Sequence, residues 1–499
     1  MPSLRLRAKR NTVQYFLKSR LLLELGCTTN HPLTRSRDMD GQGCSRKECD
    51  LTNYVLDRIA GLQKIISTDA VRQALRNAGK ESKRVCRLTN EIMVWVVVAM
   101  ALFTDLPIRQ VFRACRLSRR TEALPGRSSL CMARQRLGSE PLRELHKLVV
   151  RPLSTPQTPG AFYRDFRKVG VDGTILNIPD SEENRSFGRT AGSRGQSAFP
   201  QIRKVSLVEL GTHIEFAFVF GPCNDSERKL VVSLWDHLPK DALLIQDRGF
   251  YSYEQWKTLN NKCKLLARIQ KSMRFHKIES YEDGSYLAKV YRSHWYRERD
   301  REGCLVRVIE YKLNDRKRTG HKQIHRLLTN LLDAEQYPAM ELIMEYHERW
   351  EQELVFDEQK THQDPRRAEK ATNLRSGTVD GITQELYALS LAYFVIRAMM
   401  LDAATEARIN VDRISFKGAF QIIKTRLPEC DLLDRRSLGT WYRNLIWEIS
   451  RELNPARRNR INPRVIKQKM SRWLKCDPNR HRKLDKLTKT FAESVVMLN

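Results

Sequence analysis

The stretch YHERWEQELVFDEQK, Tyr346 to Lys360, decides how the rest of the chain is read. Its pattern predicts a helix, yet one of its faces carries no simple apolar stripe. At about 100° per residue, Tyr346, Arg349, Glu353 and Lys360 fall within roughly 60° of one another. A phenol, a guanidinium, a carboxylate and an ammonium on one line have two readings. A solvated ladder of salt bridges is the ordinary one for a charged helix. The other is a set of groups held ready for a charged ligand, and the remaining sequence has to choose.

Bulk properties favour a polyanionic partner. The 499 residues leave room for two to four domains and a large core. Hydrophobic residues at 41% and charged residues at 29% describe a globular chain. Lys and Arg number 89 against 58 Asp and Glu, a net charge of +31, and the usual partner of such an excess is nucleic acid. A membrane surface is the rival partner. Eleven cysteines, scattered singly except for Cys44 and Cys49, offer no paired CxxC motif for zinc. Reduced thiols in a cytosol are expected. The longest apolar run, IMVWVVVAMALF (Ile92 to Phe103), would span only about 18 Å as a helix, so it is read as a core helix and not a membrane span. Residues 1–50 read as a basic leader without fixed structure, and Met39 offers an alternative start.

From about residue 51 to 150 the apolar periodicity is helical throughout. Within it, LPIRQVFRAC, a break, and SSLCMARQRLG suggest a helix-turn-helix, whose second helix would present Arg134 and Arg136 to DNA. RPLSTPQTPG (Arg151 to Gly160) reads as a domain boundary. Strand-like runs follow in KVGVDGTIL, KVSLVELG and IEFAFVF. Next come a helical SERKLVVSLWDHL, the strand ALLIQD, the helix YEQWKTLNN and the strand KLLARIQ. That order predicts an α/β domain, a mixed sheet with flanking helices, over residues 161–400. Residues 271–323 look like a strand-rich insertion. Residues 401–499 form a basic, helical carboxy-terminal region, and from Arg451 to Lys489 it holds 14 Lys or Arg against three acids. Beyond a solvated tail, that run suits DNA binding or subunit assembly on DNA.

Two acids sit where chemistry wants them. Asp172 in VGVDGTIL and Asp247 in LLIQDRGF each fall at or near the end of a buried strand. An Asp before Gly can be a turn former. Two such acids on one sheet repel each other unless a cation neutralises them, and Mg²⁺ suits carboxylates that also face substrate phosphate. Glu353 supplies a third carboxylate, and Asp357, one turn later on the same face, competes with it. Spacing alone does not choose between them.

Asp172, Asp247 and the set Tyr346, Arg349, Glu353, Lys360 together resemble the DDE transposases of the insertion-sequence-four family. The last four match that family's signature of Tyr, two residues, Arg, three residues, Glu, six residues, Lys. The resemblance runs from about Asp57 to Met400, and it selects Glu353 over Asp357. It implies a ribonuclease-H-like core, preceded by an all-helical domain and interrupted by an insertion between the second Asp and the Glu. It implies metal-dependent cleavage at the element ends and joining of the freed 3′ hydroxyls to target DNA, with Mg²⁺ or Mn²⁺ held by Asp172, Asp247 and Glu353. Tyr346, Arg349 and Lys360 then become DNA contacts. Where some members hold a flipped base with an aromatic residue, this chain offers His325, in QIHRLLTNLL. The implied partners are the terminal inverted repeats, target DNA and further copies of the chain. A nuclease that never joins strands, or a binding protein that has lost chemistry, are the competing functions. The second would be signalled by a missing acid, and all three are present.

Overall fold

The computed structural model describes residues 57–83, 86–115, 123–192, 195–316, 321, 323–349, 351–363, 372–432, 437–454, 460–461, 485–486 and 489–498. The leader and most of the basic carboxy-terminal run lie outside them.

The amino-terminal part is helical, as its periodicity predicts: α1 (Thr68–Asn77), α2 (Asn90–Leu102), α3 (Ile108–Cys115), α4 (Arg127–Leu137) and α5 (Glu140–Val149). Thr89 caps α2 by accepting from the Ile92 amide, and twelve of the helix's thirteen residues are buried. A helix apolar all round must sit inside a protein. Its covering partner is a second apolar helix, α10 (Val379–Ala407), which also packs against α5 and the sheet. Among the described residues α10 alone is long and apolar enough to cross a bilayer, and 78% of its apolar window is buried in the protein. It is a core helix.

The sheet is built from β1 (Phe166–Asn177), β2 (Gln201–Glu209), β3 (Ile214–Pro222), β4 (Ala242–Gln246), β5 (Lys264–Arg268), β6 (Tyr286–Val290), β7 (Cys304–Leu313) and β8 (His325–Thr329). Their spatial order is β3-β2-β1-β4-β5-β8-β7-β6. Strands β1, β4 and β5 are parallel and the other pairs antiparallel. The parallel pairing fits the sequence, because ALLIQ in β4 is buried along its whole length, as a strand covered on both faces requires. Three antiparallel strands followed by two parallel ones, with helices on the faces, is the ribonuclease-H-like fold.

Several boundaries differ from the sequence reading. The expected insertion is no separate body: β6 and β7 continue the main sheet through β8, because β8 pairs with β5 on one side and β7 on the other. The expected helix SERKLVVSLWDHL is α only over α6 (Glu227–Leu230), then tightens into a 3₁₀ stretch to His237. Residue 400 falls inside α10. After α11 (Phe416–Arg426) and α12 (Ser437–Ile449), the chain returns as β9 (Val495–Met497), which pairs with β7.

The signature stretch is also not one helix. Pro338 opens α8 (Ala339–Glu348), which ends at Arg349. A second helix, α9 (Glu351–Asp357), follows and widens into a π-helical turn, Glu358–Gln363.

Candidate active site

Register alone brings the two aspartates together. In the parallel pair β1–β4, Val171 lies opposite Gln246, and the next residue of each strand is Asp172 and Asp247. Adjacent strands are about 4.8 Å apart, so the two carboxylates emerge side by side. Asp172 is not strand-terminal as expected. Pairing with β4 stops at Val171, but β1 continues along β2 to Asn177. Gly173 is therefore no turn residue. Its missing side chain leaves space for Glu227 of α6, whose Oε1 would lie 2.4 Å from a Cβ placed there. Glu227 is held by Arg203 of β2 at 3.2 Å. Sequence reading missed Glu227, since nothing in SERKL marks it apart from an ordinary acid in a helix's first turn.

The signature residues converge on these strand ends. From α8, the buried Tyr346 hydroxyl donates to Asp247 Oδ1 at 3.3 Å. Arg349 reaches Asp172 Oδ2 with Nη1 at 3.4 Å and Glu353 Oε1 with Nη2 at 3.7 Å. One guanidinium thus links the first and third acids, and Tyr346 holds the second. Lys360 turns toward β1, donating to Thr174 Oγ1 and, at 3.1 Å, to the Ile175 carbonyl. Glu353 is open, its side chain 57% exposed. Its rival Asp357 is engaged elsewhere, accepting from Thr361 Oγ1 at 2.8 Å and lying 3.8 Å from His362.

The electrostatics leave the site short of positive charge. Burial pushes the Asp172 carboxyl above the ordinary carboxylate range. The Gly173 N–H and Arg349 pull against that, while Glu227 and Asp247 add to it. The half-buried Asp172, with Asp247 on the next strand and Glu353 open to solvent, offers the carboxylate oxygens that a hard divalent cation takes. Tyr346 is likewise pushed up, by burial first and then by Asp247, so its hydroxyl remains a donor.

Of three further expected DNA contacts, Arg134 and His325 face inward and Arg136 is exposed. Arg134 faces inward: its side chain is 15% exposed and pairs with Glu385 at 3.3 Å. It also donates to Gln384 Oε1 at 2.7 Å, Ser376 Oγ at 2.9 Å and the Gly381 carbonyl at 3.0 Å. Those bonds fasten α4 to the start of α10, so Arg134 is a strut between the two helices. Arg136 is exposed and donates to the Leu88 carbonyl at 2.6 Å. His325 is only 8% exposed, and its ring stacks on Tyr311 of the paired strand at 5.0 Å. The break of the proposed helix-turn-helix, residues 116–122, lies outside the described residues.

A second charged cluster, His213, Glu351 and Asp412, has metal-ligating atoms within 4.8 Å of one another. It does not fit a metal ion. Arg397 Nη2 already sets a positive charge 2.8 Å from His213 Nδ1, and Nε2 lies between Asp412 at 3.2 Å and Glu351 at 3.6 Å. Burial and Arg397 push the ring's pKa down, but hydrogen bonds with Asp412, Glu351 and Glu358 outweigh them and raise it to about 10, so the cluster's positive charge comes from its own residues.

Adjacent aspartates at the centre of a ribonuclease-H-like sheet, answered by a glutamate from a later helix, define the DDE class of DNA-cleaving enzymes. Comparison with known proteins narrows the class. Residues 56–147 match the family described as insertion element 4 transposase N-terminal, and residues 165–395 match the transposase DDE domain. Transposase InsG for insertion sequence element IS4, from Escherichia coli K12, is 26% identical over 422 residues, 82% of this chain and 92% of that protein. Putative transposase InsZ of the same organism is 29% identical over 202 residues, 40% of this chain and 66% of InsZ. The cryo-EM structure of piggyBac transposase in its synaptic complex with hairpin DNA aligns with TM-score 0.40 and 13% identity, over 79% of this chain and 86% of that one. That likeness is too loose to carry any inference. The chain belongs to the insertion element 4 family of DDE transposases. Its activity is DNA cleavage and strand transfer in transposition, and it depends on divalent metal.

Proposed function

We propose that this transposase moves its element by cut and paste, with Asp172, Asp247 and Glu353 as the metal-ligating carboxylates. The observation that carries the reading is the β1–β4 register, with Arg349 linking Asp172 to Glu353. Mg²⁺ is the proposed cation, with Mn²⁺ able to replace it. When bound, it supplies activation of the attacking oxygen and charge stabilisation at the leaving one. The protein's own groups do the rest. Tyr346 orients Asp247 through its hydroxyl. Arg349 neutralises the carboxylates it touches and offers its remaining N–H groups to a phosphate oxygen. Lys360, beside β1, grips the DNA backbone near the bond to be cut. Water attacks phosphorus in line as the P–O3′ bond breaks. The freed 3′ hydroxyl then attacks a target phosphorus, and a target 3′ oxygen leaves.

The proposed ligands are the element's terminal inverted repeats and target DNA, with copies of the chain associating on the two ends. The proposed setting is the bacterial cytoplasm. Arg136 and the basic run after Arg451 are further proposed backbone contacts. Incubation of the protein with end DNA carrying a free 3′ hydroxyl, a target plasmid and Mg²⁺ is expected to give joined products. Cleavage without joining would reduce the reading to a nuclease. Ca²⁺, which tolerates looser geometry, is expected to support end binding but not cutting. Cutting in excess chelator would end the metal assignment.

A further inference from the structure

In an unbroken α-helix, Lys360 would return within about 20° of the line through Glu353. The chain does something costlier. After Asp357 it opens into the π-helical turn Glu358–Gln363. Such turns are rare and unfavourable alone, so something outside the turn must stabilise this one.

Both ends of the turn are clamped from buried elements. At its start, the Glu358 carboxylate is ion-paired to Arg397 and accepts from the Tyr393 hydroxyl at 2.7 Å. Arg397 Nε also donates to that hydroxyl, at 3.2 Å. Arg397 and Tyr393 are fully enclosed residues of α10, one helical turn apart. At its end, Gln363 donates to the Leu389 carbonyl at 3.0 Å, and Thr104 donates to the Gln363 carbonyl at 3.1 Å. Between these clamps, Lys360 leaves the turn toward Thr174 and Ile175, two and three residues beyond Asp172. Burial would push the Glu358 carboxyl up, but Arg397, His213 and Tyr393 hold it down at about 2, so the pair stays charged at any working pH.

We propose that Arg397 and Tyr393 are positioning residues for DNA cleavage: through Glu358 they hold the π-helical turn that aims Lys360 at the strand carrying Asp172. The proposal rests on Lys360 being a DNA-backbone contact. A charged pair buried this deeply does little for stability compared with apolar packing, so a geometric role accounts for it better.

The test is a double-mutant cycle in the full chain, using Glu358→Gln and the milder Tyr393→Phe, each alone and combined with Lys360→Ala. End binding is measured across salt concentrations and cleavage is measured per bound complex. Lys360→Ala alone is expected to reduce the slope of log affinity against log salt by about one unit and to slow cleavage. Glu358→Gln is expected to do the same, with cleavage slowed about tenfold for a lost charged hydrogen-bond network. Tyr393→Phe, which removes one oxygen from an intact core, is expected to shift both in the same direction by less. Neither variant is expected to add anything in the Lys360→Ala background. If Lys360→Ala has its effect but the Glu358 and Tyr393 variants keep a wild-type slope and rate, or multiply the Lys360→Ala loss, the positioning role is wrong. If Lys360→Ala itself changes neither slope nor rate, the backbone contact is wrong and the positioning role falls with it.

Discussion

Replacing Gly173 with alanine adds one methyl group beside Asp172, the first of the proposed metal-ligating carboxylates. That methyl would lie 2.4, 2.6 and 2.8 Å from Glu227 Oε1, Cδ and Cγ. Ordinary contacts are about 3.5–4.0 Å, so three successive atoms of Glu227 must retreat by about 1 Å or more. Moving only the carboxylate tip does not suffice, because Cγ is also too close. The retreat breaks the 3.2 Å pair with Arg203, both partners of which are partly exposed. That loss costs up to about 1 kcal/mol. Overpacking adds about 1–3 kcal/mol, so Gly173→Ala is expected to destabilise the protein by about 1–4 kcal/mol. Urea unfolding followed by fluorescence measures it. Cleavage should fall further than stability explains, since Asp172 is the adjacent residue. Adding Glu227→Ala removes the obstruction, and the double variant is expected to recover most of the stability lost by the single one. Wild-type unfolding by Gly173→Ala, or a double variant no more stable than the single, would refute the steric argument.

Asp172→Asn, Asp247→Asn and Glu353→Gln are each expected to lower cleavage on the order of 1,000-fold or more while end binding changes little, because phosphate contacts carry the affinity. Gel shift and cleavage assays run side by side check this, and normal cutting by Glu353→Gln with loss in Asp357→Asn would show the wrong acid was chosen. Tyr346→Phe deletes the bond to Asp247 and is expected to slow cleavage about tenfold without changing the melting temperature much. Arg134→Ala removes one partner of Glu385, which is 7% exposed and keeps Arg375 and Ser376, and is expected to destabilise the protein by about 1–3 kcal/mol with no change in the salt dependence of DNA binding.

The local features of this molecule were readable from its residues. ALLIQ announces a strand buried on both faces, and IMVWVVVAMALF announces a buried helix. The two aspartates and the signature spacing nominate the carboxylates and predict the fold together. What escaped the sequence depends on contacts over long separations. Arg134 looks like any basic residue on an exposed helix until Glu385, 251 residues later, is packed against it. His325 looks available until strand pairing sets Tyr311 beside it. The interruption at Arg349 and the π-helical turn are invisible to helical periodicity, because buried partners on α10 set the phase there. Glycine in VDGT suggested a turn, and only the position of α6 shows that it makes room for a carboxylate.

The order in which the active site is assembled has a consequence for the cell. Asp172 and Glu353 are separated by 180 intervening residues, and Arg397 of α10, which anchors Glu358, comes later still. Contacts this distant form late, since loop closure must precede them. A chain emerging at about 5–20 residues per second therefore spends its synthesis without a third carboxylate in place. A chain truncated before Glu353 lacks the third proposed carboxylate and is expected not to cut DNA.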